Sequence, residues 1–404
     1  MNVIFISPHF PYHFYNFCKN LKDLGVNVLG IGDCPYNNIG YDCMNAVHEY
    51  YYVKSLEDYN EVYRAVAFFI HKYGRIDYIE SQNEYWLELE AKLRTDFNIS
   101  TGYHIEDMEN VNRKSKMKEG YQRANVKTAR FVLPSHVEDI LQFGNEVGYP
   151  ILAKPDHGVG ASETYKLNNN DEVLDFWNTK SDKQFIVEEF VPGHVETFDG
   201  ITNAKGEILF CTGQVMAKTP MEMVHGASEN ISYTTNMQES DLFEIGTRVV
   251  HAFHTKNRFF HFEFFRLDED KENLGKKGDI LGLEVNMRAP GGYIPDKMNY
   301  AYNVDVYKIW AESLVYGENR SFNNYHFASY VTHFGRDGNI EYKNNAYDIR
   351  YEFGYKLLME KTPPKSISGG MGAQVFLLRA DSVDELMKQS HFILERKDGS
   401  YLEG

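Results

Sequence analysis

Cysteine is scarce in this chain of 404 residues. The four present, Cys18, Cys34, Cys43 and Cys211, show no C-x-x-C spacing and no nearby histidine pattern that reads as a zinc site, and reduced thiols in a cytoplasm are the simplest account. Basic residues are also in deficit, 42 Lys and Arg against 58 Asp and Glu, for a formal net charge of −16. That balance argues against nucleic acid and anionic membrane as partners, and any phosphate binding must rely on locally gathered positive charge. No apolar run approaches membrane-spanning length. The opening MNVIFISPHF lacks a basic region and reads as a first strand rather than a signal peptide. There is no internal repeat, no low-complexity tract and no G-x-G-x-x-G after the first strand, so a dinucleotide fold has no direct support.

What remains is the composition of an ordered globular protein, 43% hydrophobic and 25% charged, long enough for two or three packed domains. The 29 Tyr and 27 Phe are scattered and read as packing rather than as base-stacking platforms. NVIFIS, the helical pattern of HFYNFCKNLKDLG capped by Gly25, and the strand NVLGIGD make a βαβ unit, so residues 1–107 are expected to form an open α/β domain on a parallel sheet. Ligands of such sheets sit past the carboxyl ends of the strands, here Ser7 to His9, Asp33 and Ser81 to Glu84. Residues 108–126 read as one basic amphipathic helix. Residues 127–189 read as a small α+β lid. Residues 190–404 read as a C-terminal unit dominated by antiparallel strands, with helices over YNVDVYKIWAESLVYG and DSVDELMKQS.

The stretch LGLEVNMRAPGG places Glu284, Asn286 and Arg288 at alternate positions of a strand, which throws a carboxylate, a carboxamide and a guanidinium onto one face. Oxygen donors of this kind suit a hard cation such as Mg²⁺, and the arginine fork suits the phosphoryl charge left uncovered. Taken alone, the same letters also describe the polar face of a half-solvated strand. Glu263, in FFHFEFFRL, is a third oxygen donor on a strand that pairs with the first if the charged hairpin DEDKENLGKKGD closes over it. Lys154 stands at the mouth of a loop containing Gly158, Gly160 and Ala161, a pattern that fits phosphate binding and fits an ordinary glycine turn equally well. FIVEEFVPGHVE ends an apolar strand at a Pro-Gly turn before Glu196, which reads either as a nucleotide-edge segment or as an interdomain hinge.

A lysine near the start of a basic helix, a lysine before a glycine loop, V-E-E-F-V-P-G, and E-x-N-x-R-x-x-G-G after an upstream glutamate, in this order, resemble the ATP-grasp superfamily. The biotin carboxylase-like and amino-acid ligase branches are nearest in pattern. The resemblance spans essentially the whole chain. It implies an N-terminal pre-grasp domain, a lid and a C-terminal antiparallel-sheet domain, with ATP and Mg²⁺ (or Mn²⁺) as cofactors and a homodimer as a family expectation. It further implies a carboxylate-amine ligase, in which a small-molecule carboxylate is phosphorylated to an acyl phosphate and an amine then displaces phosphate. Residue by residue, Lys114, or its rival Lys116, and Lys154 would contact the ATP phosphates. Gly158, Gly160, Ala161 and Ser162 would form the phosphate loop, Glu188 and Val191 the adenine edge, and Glu196 the ribose contact. Glu263, Glu284 and Asn286 would ligate metal. Arg288 would stabilise the acyl-phosphate and tetrahedral states, and Lys218 and His225 would approach the substrate. Two other readings share the nucleotide site: carboxylation through carboxyphosphate, and an ATP-binding regulatory protein without turnover.

Overall fold

The computed structural model of the chain describes residues 1–158, 163–216 and 229–400. Three sheets organise them. The first is parallel, built from β1 (Asn2–Ile6), β2 (Asn27–Gly32), β3 (Glu49–Tyr52) and β4 (Tyr78–Glu80) in the order β3-β2-β1-β4. β1 and β2 are almost continuously buried, as a sheet covered on both faces requires. Helix Tyr59–Tyr73 covers one face through Val62, Val66 and Phe69. Helix Tyr15–Asp23 covers the other, and its Phe17 meets Trp310 of helix Val306–Tyr316 edge to face at 5.1 Å. The parallel sheet and the C-terminal part of the chain therefore share one hydrophobic core.

The second sheet, β5-β8-β6-β7, is antiparallel: β5 (Phe131–Val132), β6 (Ile151–Pro155), β7 (Tyr165–Leu167) and β8 (Phe185–Glu189). Helices Val137–Val147 and Asn170–Thr179 pack on it through Ile140, Phe143, Val173 and Phe176. The third sheet has eight strands in the order β13-β12-β9-β10-β11-β14-β16-β15. They are β9 (Gly193–Thr202), β10 (Ile208–Met216), β11 (Asn230–Thr235), β12 (Phe259–Leu267), β13 (Ile280–Asn286), β14 (Tyr330–Arg336), β15 (Leu357–Lys361) and β16 (Gln374–Ala380). Period-two alternation divides its two faces. Phe198, Phe260, Phe262, Phe264 and Val285 form a core with helices Lys114–Arg123 and Leu242–Ala252, while Thr197, Asp199, His261, Glu263, Glu284 and Asn286 point the other way.

The expected combination of a parallel α/β sheet, a small α+β unit and a large antiparallel sheet is present. The basic helix is not one rod. It is two helices, Glu109–Asn112 and Lys114–Arg123, separated by an extended Arg113. The break has a physical cause: the Lys114 N–H donates to the Asp156 carbonyl at 2.8 Å and Arg113 forms a bridge with His157, so the main chain is drawn to the end of β6. Ser115 fixes the new helix start by donating twice to the Asp156 carboxylate, at 2.8 Å from N–H and 3.0 Å from its hydroxyl. Elements outside the sequence expectations include strand β11, helices Leu242–Ala252, Ala346–Phe353 and Lys365–Met371, and helix Ile294–Tyr302, which has Pro at its start and a left-handed Asn303 at its end.

Helix Lys114–Arg123 can lie this close to β13 because Gly282 has no side chain: a Cβ there would stand 2.3 Å from the Tyr121 ring. Gly282→Ala is expected to destabilise the protein by about 1–3 kcal/mol, the usual range for overpacking, read as a lowered urea midpoint with the far-ultraviolet spectrum retained.

Candidate active site

The polar face of the large sheet is set by register. Glu263 on β12 stands directly opposite Glu284 on β13, and His261 stands opposite Asn286. The long charged hairpin closes over this pair, with the Leu267 N–H donating to the Asp279 carbonyl and the Gly278 N–H to that of Leu267. A bulge after Glu263 leaves Leu283 unpaired, so Phe264 faces Gly282 and Leu281 returns to the polar side. Among the described residues no three His, Cys, Asp or Glu side chains form a ready-made cage. The set is instead two carboxylates and a carboxamide, hard oxygen donors that leave positions open for phosphate oxygens, which fits Mg²⁺ better than a closed site would.

Each carboxylate has a counter-cation. Lys114, buried, reaches Glu284 Oε1 at 3.2 Å and donates to the Gly158 carbonyl at 3.2 Å. Lys116 points outward to Glu119 at 2.8 Å, so it is Lys114 that faces the glutamates. His261 joins Glu263 at 3.1 Å through Nε2 and Asp199 at 2.5 Å through Nδ1. Burial works to discharge this imidazole, but the Asp199 and Glu263 carboxylates outweigh it and lift its pKa to about 9. On the second sheet, Glu188 is clamped between Lys154 (2.7 Å) and Lys118 (2.5 Å). Burial alone would raise the Glu188 carboxyl; the two lysines hold it down at about 2.

The loop after β4 supplies the remaining wall. Gln82 accepts from the Ala289 N–H at 3.2 Å, and Glu84 accepts from Arg288 Nε at 3.1 Å and from its Nη2. With its NH₂ turned toward Glu84, Asn286 donates to the same carboxylate at 3.0 and 3.3 Å. The loop past the carboxyl end of β4 thus faces Arg288 and Asn286.

Two expectations drawn from the resemblance need revision. Glu188 does not present a main-chain edge, because its strand is paired on both sides, with β5 and β6; what reaches the site is its carboxylate, held by lysines. Glu196 faces Phe264, not Glu263, across β9 and β12, which puts its side chain on the opposite side of the sheet from the glutamates. There it takes a two-pronged contact from Arg266, at 2.7 and 2.9 Å, so a ribose role has no geometric basis. Val191 is buried with Ala129, Leu267, Leu274 and Leu281 in an apolar cluster beside the large sheet. Gly158 adopts φ +121°, where glycine is favoured. Gly160, Ala161, Ser162, Lys218 and His225 lie outside the described residues.

Sequence reasoning overlooked Lys118 and His261. Both had a signal: Lys118 is four residues after Lys114 on one helix face, and His261 is two before Glu263 on one strand face.

No family model matches the chain. It is similar to an L-arginine-specific L-amino acid ligase of Bacillus subtilis, 26% identical over 266 residues, which is 63% of this chain and 60% of that protein's length. In structure it resembles an L-amino acid ligase from Bacillus licheniformis, with a TM-score of 0.68 at 15% identity, covering 96% of this chain and 95% of the other. It also resembles the biotin carboxylase domain of the Hydrogenobacter thermophilus 2-oxoglutarate carboxylase, solved with MgADP, ADP and bicarbonate, with a TM-score of 0.67 at 14% identity over 96% and 89% of the two chains.

The clamp on Glu188 makes stability depend on acid. Its folded pKa of about 2 lies below its ordinary 4.5, so the pairing stabilises the fold above pH 4.5 and is lost as pH falls from there toward 2. Urea midpoints measured across that window should fall for the native protein. In Glu188→Gln the fall should be shallower, from a lower starting value, because two buried lysines then lack a carboxylate.

Proposed function

Because this chain has the ATP-grasp fold, we propose that it is an ATP-dependent carboxylate-amine ligase using Mg²⁺, with residues 1–107 as pre-grasp domain, 108–126 as linker, 127–189 as lid and 190–404 as catalytic unit. The observation that carries the reading is Glu263 opposite Glu284, faced by Lys114 and with Lys154 on the lid sheet. Both names of the L-amino acid ligases to which the chain is similar describe this class of reaction.

In the first step a substrate carboxylate oxygen attacks the γ-phosphorus of ATP, the bond to the β,γ-bridging oxygen breaks, and ADP leaves with those electrons. In the second an amine nitrogen attacks the acyl carbon, the carbon-oxygen bond to phosphate breaks, and the nitrogen sheds a proton as the amide forms. Glu263, Glu284 and Asn286 would hold the Mg²⁺, which neutralises phosphoryl charge when bound. Lys114 and Lys154 place fixed positive charge along the phosphates, and Arg288, once released from Glu84, stabilises the anionic acyl states. The lid sheet keeps water from the acyl phosphate. A homodimer belongs to the same reading.

A phosphate-release assay with MgATP against a matrix of small carboxylates and amines tests it. Release is expected only when an acid and an amine are both present, and Glu284→Ala and Arg288→Ala should each lower it by about 10²–10³-fold. Release driven by bicarbonate without an organic acid would replace the ligase by carboxylation through carboxyphosphate. Nucleotide binding with no release for any pair would replace it by a regulatory nucleotide-binding protein.

A further inference from the structure

The polar row that begins at the two glutamates does not end there. Glu284 faces Glu263, Glu263 faces Thr197, Thr197 faces Gln214, and Gln214 faces Thr234. Residues directly opposite one another share a face, so this is one polar band across strands β13, β12, β9, β10 and β11. At about 4.8 Å per strand, Gln214 lies about 10 Å from Glu263 along the band.

Helix Ile294–Tyr302 covers the far end and inserts Lys297, which is fully buried. Its ammonium donates to Ser232 Oγ at 2.7 Å and to the Ser232 carbonyl at 3.3 Å, which leaves an N–H to spare. No carboxylate is bonded to it among the described residues. The one whose charge it feels, Asp199, already has Oδ1 on His261 at 2.5 Å and Oδ2 on the Thr197 hydroxyl at 2.6 Å. His333, opposite Ser232, offers no negative charge either: its Nε2 donates to the Met371 carbonyl at 3.0 Å. Burial pulls the Lys297 ammonium down to about 7 despite Asp199, a measure of how poorly it is compensated.

Gln214 repeats the pattern on the next strand. It is 1% exposed, and neither its amide nitrogen nor its oxygen has a partner among the described residues. Ser232 pairs with Met216, two residues along β10 from Gln214 and on the same face, so the carboxamide and the ammonium are diagonal neighbours. A buried cation without a counter-charge beside a buried amide without a partner is costly unless a ligand completes both.

We propose that Lys297, Gln214 and Ser232 form a subsite for a second carboxylate, one carried by a substrate but not consumed in the reaction. This deepens the ligase reading and rests on it: one end of the ligand pair reacts beside Glu263 and Arg288, while an unreacted carboxylate anchors at Lys297. Two sources have this chemistry, a dicarboxylic acid as the acyl substrate or an amino acid as the amine.

Calorimetric binding in the presence of Mg²⁺ and a non-hydrolysable ATP analogue separates them. The acid arm compares succinate and glutarate with butyrate and valerate; the amine arm compares alanine and glutamate with their amides. Wild-type protein is expected to prefer the carboxylate-bearing member of at least one arm by tenfold or more, and Lys297→Met to abolish that preference while nucleotide affinity and binding of the counterparts stay within twofold. Lys297→Arg should recover part of it, which a merely structural lysine would not predict. Gln214→Leu carries the same test should Lys297→Met fail to fold. No preference in either arm, or one indifferent to both variants, overturns the subsite. If preference depends on Lys297 but no pair releases phosphate, the subsite stands and the ligase reading falls; if phosphate is released but preference ignores Lys297, the reverse holds.

Discussion

The strand register of β12 controls the chemistry of this molecule. One residue of slip against β9 would exchange Glu263 for Phe262 or Phe264, moving a carboxylate into an aromatic core and a ring into the polar band. That error is prevented by burial on the apolar side, where Phe198, Phe260, Phe262 and Phe264 pack against Tyr121 and Phe253. The hydrophobic face therefore places the charged face. The bulge at Leu283 completes the arrangement by letting Gly282 receive Tyr121 while Glu284 still meets Glu263.

The second organising feature is the break at Arg113. Had the basic helix been continuous, its lysines would have lined a solvated surface; bent to the end of β6, it buries Lys114 and Lys118 instead. One then serves a carboxylate of the large sheet and the other a carboxylate of the second sheet. A short helix thus ties the two sheets together.

Much of this was legible in the amino-acid order. Alternation revealed Glu284 and Asn286 on one side of β13; Arg288, expected on the same strand, instead lies in a bend past its end and meets Glu84, in the loop after β4 to which the βαβ pattern had directed attention. What was hidden depended on partners distant in sequence. Glu196 looks like a site residue in FVPGHVE, yet Arg266, 70 residues on, claims it on the other side of the sheet. The kink at Arg113 is invisible in RKSKMKEGYQR because its cause lies at Asp156 and His157. Helix Ile294–Tyr302 follows a Pro-Gly-Gly turn whose letters suggest only a loop, and its lysine acquires meaning only against β11.

The pairing of these acids has a consequence for how a ligand enters. Glu284 rests on Lys114, Glu263 on His261, Glu188 on Lys118 and Lys154, and Glu84 on Arg288. On the ligase reading proposed above, a ligand bringing both a divalent cation and phosphate anions would take over these contacts pairwise, the cation replacing lysine on the glutamates and the phosphates accepting the lysine in turn. Entry would then be an exchange of ions between partners, and at no stage would a charge be left without a counter-charge. A nucleotide without its metal, or a metal alone, offers only half of that exchange.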